Sequence, residues 1–169
     1  MQQASVAQLF EHNVDRLRLS WIAGSREAII QVTRSDATPA DLVGYLNLIH
    51  PDRIQVLGTA EIEWSRRHPP AKVRHLFEEI VQAEPPAIIV ADGCAIPDSM
   101  RVSCATRNIP LLATPASASG VIDQLRIYLA RHLAERISVH GVLMDVLGMG
   151  VLITGESGTG KELIARIIH

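Results

Sequence analysis

Aromatic side chains are scarce: the 169 residues include two Trp, two Tyr and two Phe. A core built from this chain must be aliphatic, and 47% hydrophobic residues supply the Ile, Leu, Val and Ala for it. Cysteine is nearly absent too. Cys94 and Cys104, with nine residues between them, fit no metal or redox spacing and read as ordinary thiols. The seven histidines include no i, i+4 pair on a helix, so no metal site is indicated by them. No apolar run approaches the roughly 18–20 residues that a membrane span requires. The first residues, with Gln2, Gln3, Ser5 and Glu11, show no secretory pattern. These absences predict a soluble, cytoplasmic protein. A formal charge of −2 with no basic block argues against nucleic acid as the main partner. The length allows one domain, or one domain and part of another.

What is present is alternation. Residues 5–15 place Val6, Leu9, Phe10 and Val14 on one helical stripe, with Ser5 positioned as a cap. Strands are predicted over 17–23 and 28–33, and Thr38-Pro39 reads as the start of a helix through Leu42, Val43 and Leu46. Residues 53–58 form a short strand pattern and 59–67 a helix. Pro69-Pro70 interrupts, and 71–82 keeps helical period with Val73, Leu76, Phe77, Ile80 and Val81. A doubly buried strand over 87–91, a helix over 97–107 and a strand over 109–113 follow. The longest helical pattern covers 117–138, roughly 30 Å at about 1.5 Å per residue. Such alternation implies the α/β class, a parallel sheet with helices packed on it. Ligands of such sheets gather at the carboxyl ends of strands, here Asp92-Gly93 and Thr114; the plainer reading makes these connecting turns.

The last third carries recognisable chemistry. Residues 139–147 and 151–154 read as two strands joined through Gly148-Met149-Gly150, and Gly155-Glu156-Ser157-Gly158-Thr159-Gly160-Lys161 then spells G-x-x-x-x-G-K before a helical run. Glycines let successive N–H groups turn inward around a polyphosphate, the following helix start adds its positive dipole end, and Lys161 adds a full charge. The plain alternative is a glycine-rich turn joining strand to helix. Glu162 stands where a P-loop normally carries a magnesium-ligating Ser or Thr. A carboxylate can ligate magnesium, yet it sets negative charge beside the phosphates. Taken alone, His140 and Asp145 are ordinary strand residues.

The run His140-Gly141-Val142-Leu143-Met144-Asp145-Val146, followed by Gly148, by Gly150-Val151-Leu152-Ile153-Thr154-Gly155, by Ser157-Gly158 and by Gly160-Lys161, resembles the signature of the bacterial HPr kinase/phosphorylase family. Gly44-Tyr45, residues 52–58, Glu61 and Ile109-Pro110-Leu111-Leu112 occur in the order of that family's N-terminal domain. The resemblance implies ATP-dependent phosphorylation, with Mg2+, and phosphorolytic dephosphorylation of a serine on the phosphocarrier HPr or a paralogue, in the regulation of carbohydrate metabolism. It implies an N-terminal α/β domain over 1–138 similar to that of the Mur ligases, and the start of a P-loop kinase domain over 139–169. It also implies a homo-oligomer, a hexamer in the family.

By position the resemblance implies that His140 lies by the transferred phosphate and that Lys161 contacts the phosphates. Gly155, Glu156, Ser157, Gly158, Thr159, Gly160, Lys161 and Glu162 would line the nucleotide, with Glu162 at the family's magnesium-binding serine. The family supplies its acidic metal ligand and its base from residues beyond position 169, so little phosphotransfer is expected of these 169 residues alone. Two other readings stand beside this one. The chain could be a non-catalytic regulatory or interaction module. It could also be a fusion, because residues 151–169 are similar to the Walker A segment of AAA+ activators that work with the alternative sigma factor, in which Glu after the lysine is usual.

Overall fold

The computed structural model describes residues 3–31, 37–47, 50, 52–134 and 139–168. The chain divides into two compact units, Met1–Ala134 and Glu135–His169. In the first, β1 (Gln3–Ser5) pairs antiparallel with β3 (Ile29–Gln31), and α1 (Val6–Leu17) follows β1 directly. Ser5 caps the helix as its position predicts, Gln8 N–H donating to Ser5 Oγ at 3.0 Å, and Gln8 returns the contact, its Oε1 accepting from Ser5 N–H at 3.4 Å. The helix runs two residues past the predicted end and closes at Arg18, whose φ of 49° is left-handed. The strand predicted from residue 17 is therefore confined to β2 (Ser20–Ala23).

The main sheet has five strands in the order β2, β7 (Leu111–Ala113), β6 (Ile88–Val90), β5 (Ile54–Leu57), β4 (Val43–Tyr45). All neighbours are parallel except β2, which pairs antiparallel with β7 at one edge. The α/β class is thus observed, with one antiparallel edge. The predicted helix from Pro39 through Leu46 is instead a 3-10 turn, Pro39–Leu42, leading into β4. Val43 and Gly44 are poor helix formers, and the open edge of β5 offers their backbone a parallel partner.

Four helices complete the first unit: α2 (Thr59–Arg67), α3 (Pro70–Gln82), α4 (Asp98–Thr106) and α5 (Ala118–His132). Pro70 opens α3 at a position where its missing N–H costs nothing. The last residues of the predicted long helix, 135–138, lie outside the described residues, as do 32 and 33 of the predicted second strand. Leu9 of α1 and Val121, Leu125 and Leu129 of α5 bury one sheet face with Val56, Ile89 and Leu112. Phe77 and Ile80 of α3, with Met100 and Cys104 of α4, bury the other with Leu57, Ile88, Val90 and Leu111. The core is aliphatic as the composition requires. Burial pushes the Cys104 thiol up to about 12, so it packs as a small apolar group.

Asp92 and Thr114 stand at the carboxyl ends of β6 and β7, but their side chains are already engaged. The exposed Asp92 carboxylate accepts from Thr59 N–H at 2.8 Å, Thr59 Oγ1 at 3.1 Å and Ala118 N–H at 3.0 Å. It thereby joins the first turns of α2 and α5. Thr114 Oγ1 donates to the Leu17 carbonyl and accepts from Ala116 N–H at 3.0 Å. The Thr59 N–H, first among these contacts, holds the Asp92 carboxyl below its ordinary value. A carboxyl lowered on folding adds stability above its unfolded pKa of about 3.9, and that stability disappears as pH falls through the folded value. Asp92→Asn is expected to cost about 1–2 kcal/mol at neutral pH, a helix-cap magnitude. In urea titrations followed from neutrality to acid, the gap between Asp92→Asn and the parent should shrink as pH drops below about 4. A gap that stays constant with pH would rule out the charged carboxylate as its source.

Candidate functional site

In the second unit, β8 (Gly141–Val146) and β9 (Met149–Thr154) form an antiparallel hairpin, from Gly141 opposite Thr154 to Val146 opposite Met149. The expected connection through Gly148-Met149-Gly150 is shorter than read from sequence: Leu147 and Gly148 alone make the turn. Their φ values, 53° and 80°, are both left-handed, as the type I′ two-residue hairpin turn requires. Asp145 serves that turn, its Oδ1 accepting from Gly148 N–H at 2.9 Å. Leu147 is fully exposed there.

Alternation along β8 and β9 turns Val142, Met144, Val151 and Ile153 to one half-buried face. Helix α6 (Lys161–Ile168) packs against this hairpin, burying Ala165. Between β9 and α6 lies the glycine loop. Gly155 N–H donates to the His140 carbonyl at 3.3 Å, so the residue before β8 ties directly to the start of the loop. Gly158 and Gly160 hold φ values of 83° and 81°, open to glycine at little cost. The Gly160 carbonyl accepts from Leu163 and Ile164 N–H at 3.0 and 3.1 Å and so opens α6. The first N–H groups of this helix have no acceptor within it.

Lys161 curls back into the loop. Its Nζ donates to the Gly155 carbonyl at 2.8 Å, to the Glu156 carbonyl, and to Thr159 Oγ1 at 3.4 Å. Thr159 Oγ1 in turn donates to the Glu156 carbonyl at 2.8 Å. All three ammonium protons thus have acceptors of this chain. His140, Ser157, Gly158, Gly160, Lys161 and Glu162 line one cavity of about 560 Å³. Six of the nine expected site positions are brought together here; Gly155, Glu156 and Thr159 support the loop from behind through the bonds just given. Among the described residues no cluster of three or more His, Cys, Asp or Glu is arranged to hold a metal ion.

A feature that composition concealed lies in the first unit. Between Glu63 and Glu78 the chain carries Arg66, Arg67, His68, Lys72, Arg74 and His75 with no acidic residue. The net charge of −2 and the interruption by Pro69-Pro70 hide this excess, which the elbow between α2 and α3 concentrates in space. No helix among the described residues is long and apolar enough to cross a membrane.

Comparison with known proteins agrees with this architecture. Residues 4–129 match the family described as HPr Serine kinase N terminus, and residues 131–168 match the HPr Serine kinase C-terminal domain. The HPr kinase/phosphorylase of Azoarcus sp. is 54% identical over 171 residues, covering 98% of this chain and 55% of the relative. That of Aromatoleum aromaticum is 51% identical with the same coverage, and that of Bordetella pertussis is 46% identical over 96% of this chain and 54% of the relative. This chain therefore spans about half the length of the curated relatives it matches. Across both units, from the first strand to the helix after the glycine loop, the chain belongs to the HPr kinase/phosphorylase family.

Proposed function

We propose that this protein acts in the ATP-dependent phosphorylation of a serine on HPr or a paralogue, and in its phosphorolytic reversal, with residues 139–169 contributing the phosphate loop. The observation that supports this most is the shared cavity: His140, Lys161 and the loop glycines, distant in type and brought together by one hairpin, line a single space. The donor set suits a polyphosphate, since it consists of glycine-loop N–H groups, a helix start and one ammonium. Bound ATP would supply the transferable phosphoryl group, and magnesium would neutralise its oxygens. Glu162, which lines the cavity, offers hard oxygen atoms of the kind that magnesium takes.

Lys161 would exchange the Gly155 and Glu156 carbonyls for phosphate oxygens, which keeps its N–H donors satisfied before and after binding and supplies the ammonium with an anionic partner once the phosphates arrive. His140, whose backbone carbonyl is tied to the loop by Gly155 N–H just before β8, lines the same cavity, where its ring can hydrogen-bond the transferred phosphate or the serine hydroxyl. On the same reading residues 1–138 form an N-terminal domain similar to that of the Mur ligases, and the protein is a cytoplasmic homo-oligomer. The test is mass spectrometry of HPr incubated with magnesium ATP and this protein. One phosphate on one serine is expected, however slowly it accumulates, and none with His140→Ala. No saturable binding of magnesium ATP, or HPr phosphorylated just as well by Lys161→Ala, would exclude the kinase reading.

A further inference from the structure

The elbow between α2 and α3 faces the segment 95–97 across a groove of about 520 Å³, within the range of small-molecule sites. Arg66, from the last turn of α2, and Arg74, from α3, both line it, and no carboxylate does. Their pairing contrasts with that of their neighbours. Arg67 is bound to Glu63 at 3.0 Å and His75 faces Glu79 at 3.4 Å, whereas neither Arg66 nor Arg74 has a hydrogen bond or ion pair among the described residues. Two guanidiniums on one groove, with no counter-ion among the described residues, repel each other, and a bound dianion removes that repulsion.

The rest of the lining specifies what the dianion is attached to. His68 is stacked on Trp64, ring centroids 4.0 Å apart, and its Nδ1 lies 2.8 Å from the Trp64 carbonyl. A carbonyl only accepts, so Nδ1 carries the proton of that bond and Nε2 is the ring nitrogen left to meet a ligand hydroxyl. Ser99 adds a hydroxyl from the first turn of α4. Ile62, Val73 and Ile96 give an apolar floor suited to a carbon skeleton.

We propose that this groove binds a small phosphomonoester, with Arg66 and Arg74 holding the phosphate and His68 and Ser99 reading hydroxyls of the attached carbon skeleton. Phosphate is favoured over carboxylate because a monoester carries about −1.5 to −2 charge on three oxygens, matching two arginine forks, whereas one carboxylate matches one. The groove lies wholly within the first unit, and its proposed role does not depend on the glycine loop.

The experiment is calorimetric titration of the full chain with glycerol 3-phosphate, alongside succinate as a dianion without phosphate. Three proteins are compared: the parent, Arg66→Ala/Arg74→Ala, and Lys161→Ala. Saturable binding of glycerol 3-phosphate is expected, weakened about 100-fold in Arg66→Ala/Arg74→Ala and retained in Lys161→Ala, with succinate binding at least about tenfold more weakly than the monoester. Both arginines are exposed, so matching thermal melts of the double variant should show an intact fold. Four results would overturn the proposal. They are no saturable binding, binding kept in the double-arginine variant, binding lost only with Lys161→Ala, or succinate binding as tightly as the monoester.

Discussion

Lys161→Ala is expected to weaken magnesium-ATP binding by about 100-fold or more, read by calorimetry on the purified chain. Two effects add. The variant removes a charge that would meet the phosphate oxygens, and a hydrogen bond to a charged group contributes about 1.5–3 kcal/mol. It also removes the ties from Nζ to Gly155 and Glu156 that now hold the loop curled. The second effect separates from the first by amide hydrogen exchange. Loop amides 155–160 should exchange faster in the variant before any nucleotide is added, whereas the amides of the hairpin should be unaltered. An alanine variant that binds ATP as tightly as the parent would show that the glycine loop is only a connecting turn. One observation favours that turn reading: every ammonium proton of Lys161 already has an acceptor in the loop itself.

The parts of this molecule that were legible in the sequence are those where a local pattern and the tertiary environment agree. Residues 87–91 are apolar without interruption, and the strand Ile88–Val90 is buried on both faces between parallel neighbours. The period of Val73, Phe77, Ile80 and Val81 matches the buried face of α3. The glycine loop was legible because its spacing, its lysine and its place between strand and helix are all local. What misled was local pattern overridden by a partner elsewhere. Thr38-Pro39 has the form of a helix start, and the Thr38 and Asp41 side chains do close a turn, with Thr38 N–H donating to Asp41 Oδ2 at 2.9 Å. The helix then gives way at Val43 because β5 lies beside it, and nothing within residues 38–46 announces that neighbour.

The hairpin turn failed for a different reason. Gly148 and Gly150 bracket Met149 symmetrically in sequence, but the two-residue turn that joins these strands has both of its residues left-handed. Leu147, a residue that rarely takes φ of 53°, supplies the first of them, and sequence alone gives no cause to choose it. The role of Asp92 was equally hidden. Its contacts with Thr59 and Ala118 span 33 and 26 residues, so the pairing exists only once the sheet has brought the starts of α2 and α5 together. The same closeness explains Gly58, where a Cβ would stand 2.7 Å from Asp92 Oδ2.

Gly24→Ala should be the most damaging single methyl group that can be added to this protein, at about 4 kcal/mol of stability. The residue follows β2 at the edge of the sheet and takes φ of +84°, which alone costs an alanine about 1 kcal/mol or more. A Cβ there would also sit 2.0 Å from the Ile109 carbonyl oxygen, 2.3 Å from its carbon and 2.6 Å from Pro110 N. All three are backbone atoms, so no rotamer can relieve the contact. Ile109 and Pro110 are buried and lead straight into β7, whose Leu111 and Leu112 are fully enclosed. Displacing that segment by the ångström or so required would disturb the pairing of Ser25 N–H with the Asn108 carbonyl at 3.1 Å and of Ile88 N–H with the Pro110 carbonyl at 2.8 Å. Gly93→Ala is the matched control in the same unit: φ is +63°, but the nearest atom to its Cβ, Pro115 Cα, is 3.9 Å away. It should lose only the backbone term, about 1 kcal/mol. Urea denaturation of the two variants then measures the close approach directly as the difference between them, about 3 kcal/mol, against a total stability of about 5–15 kcal/mol for a typical domain. Equal losses in the two variants would mean that β2 yields freely at its edge position, and that the crossing of Gly24 over Ile109 is not a fixed point of the fold.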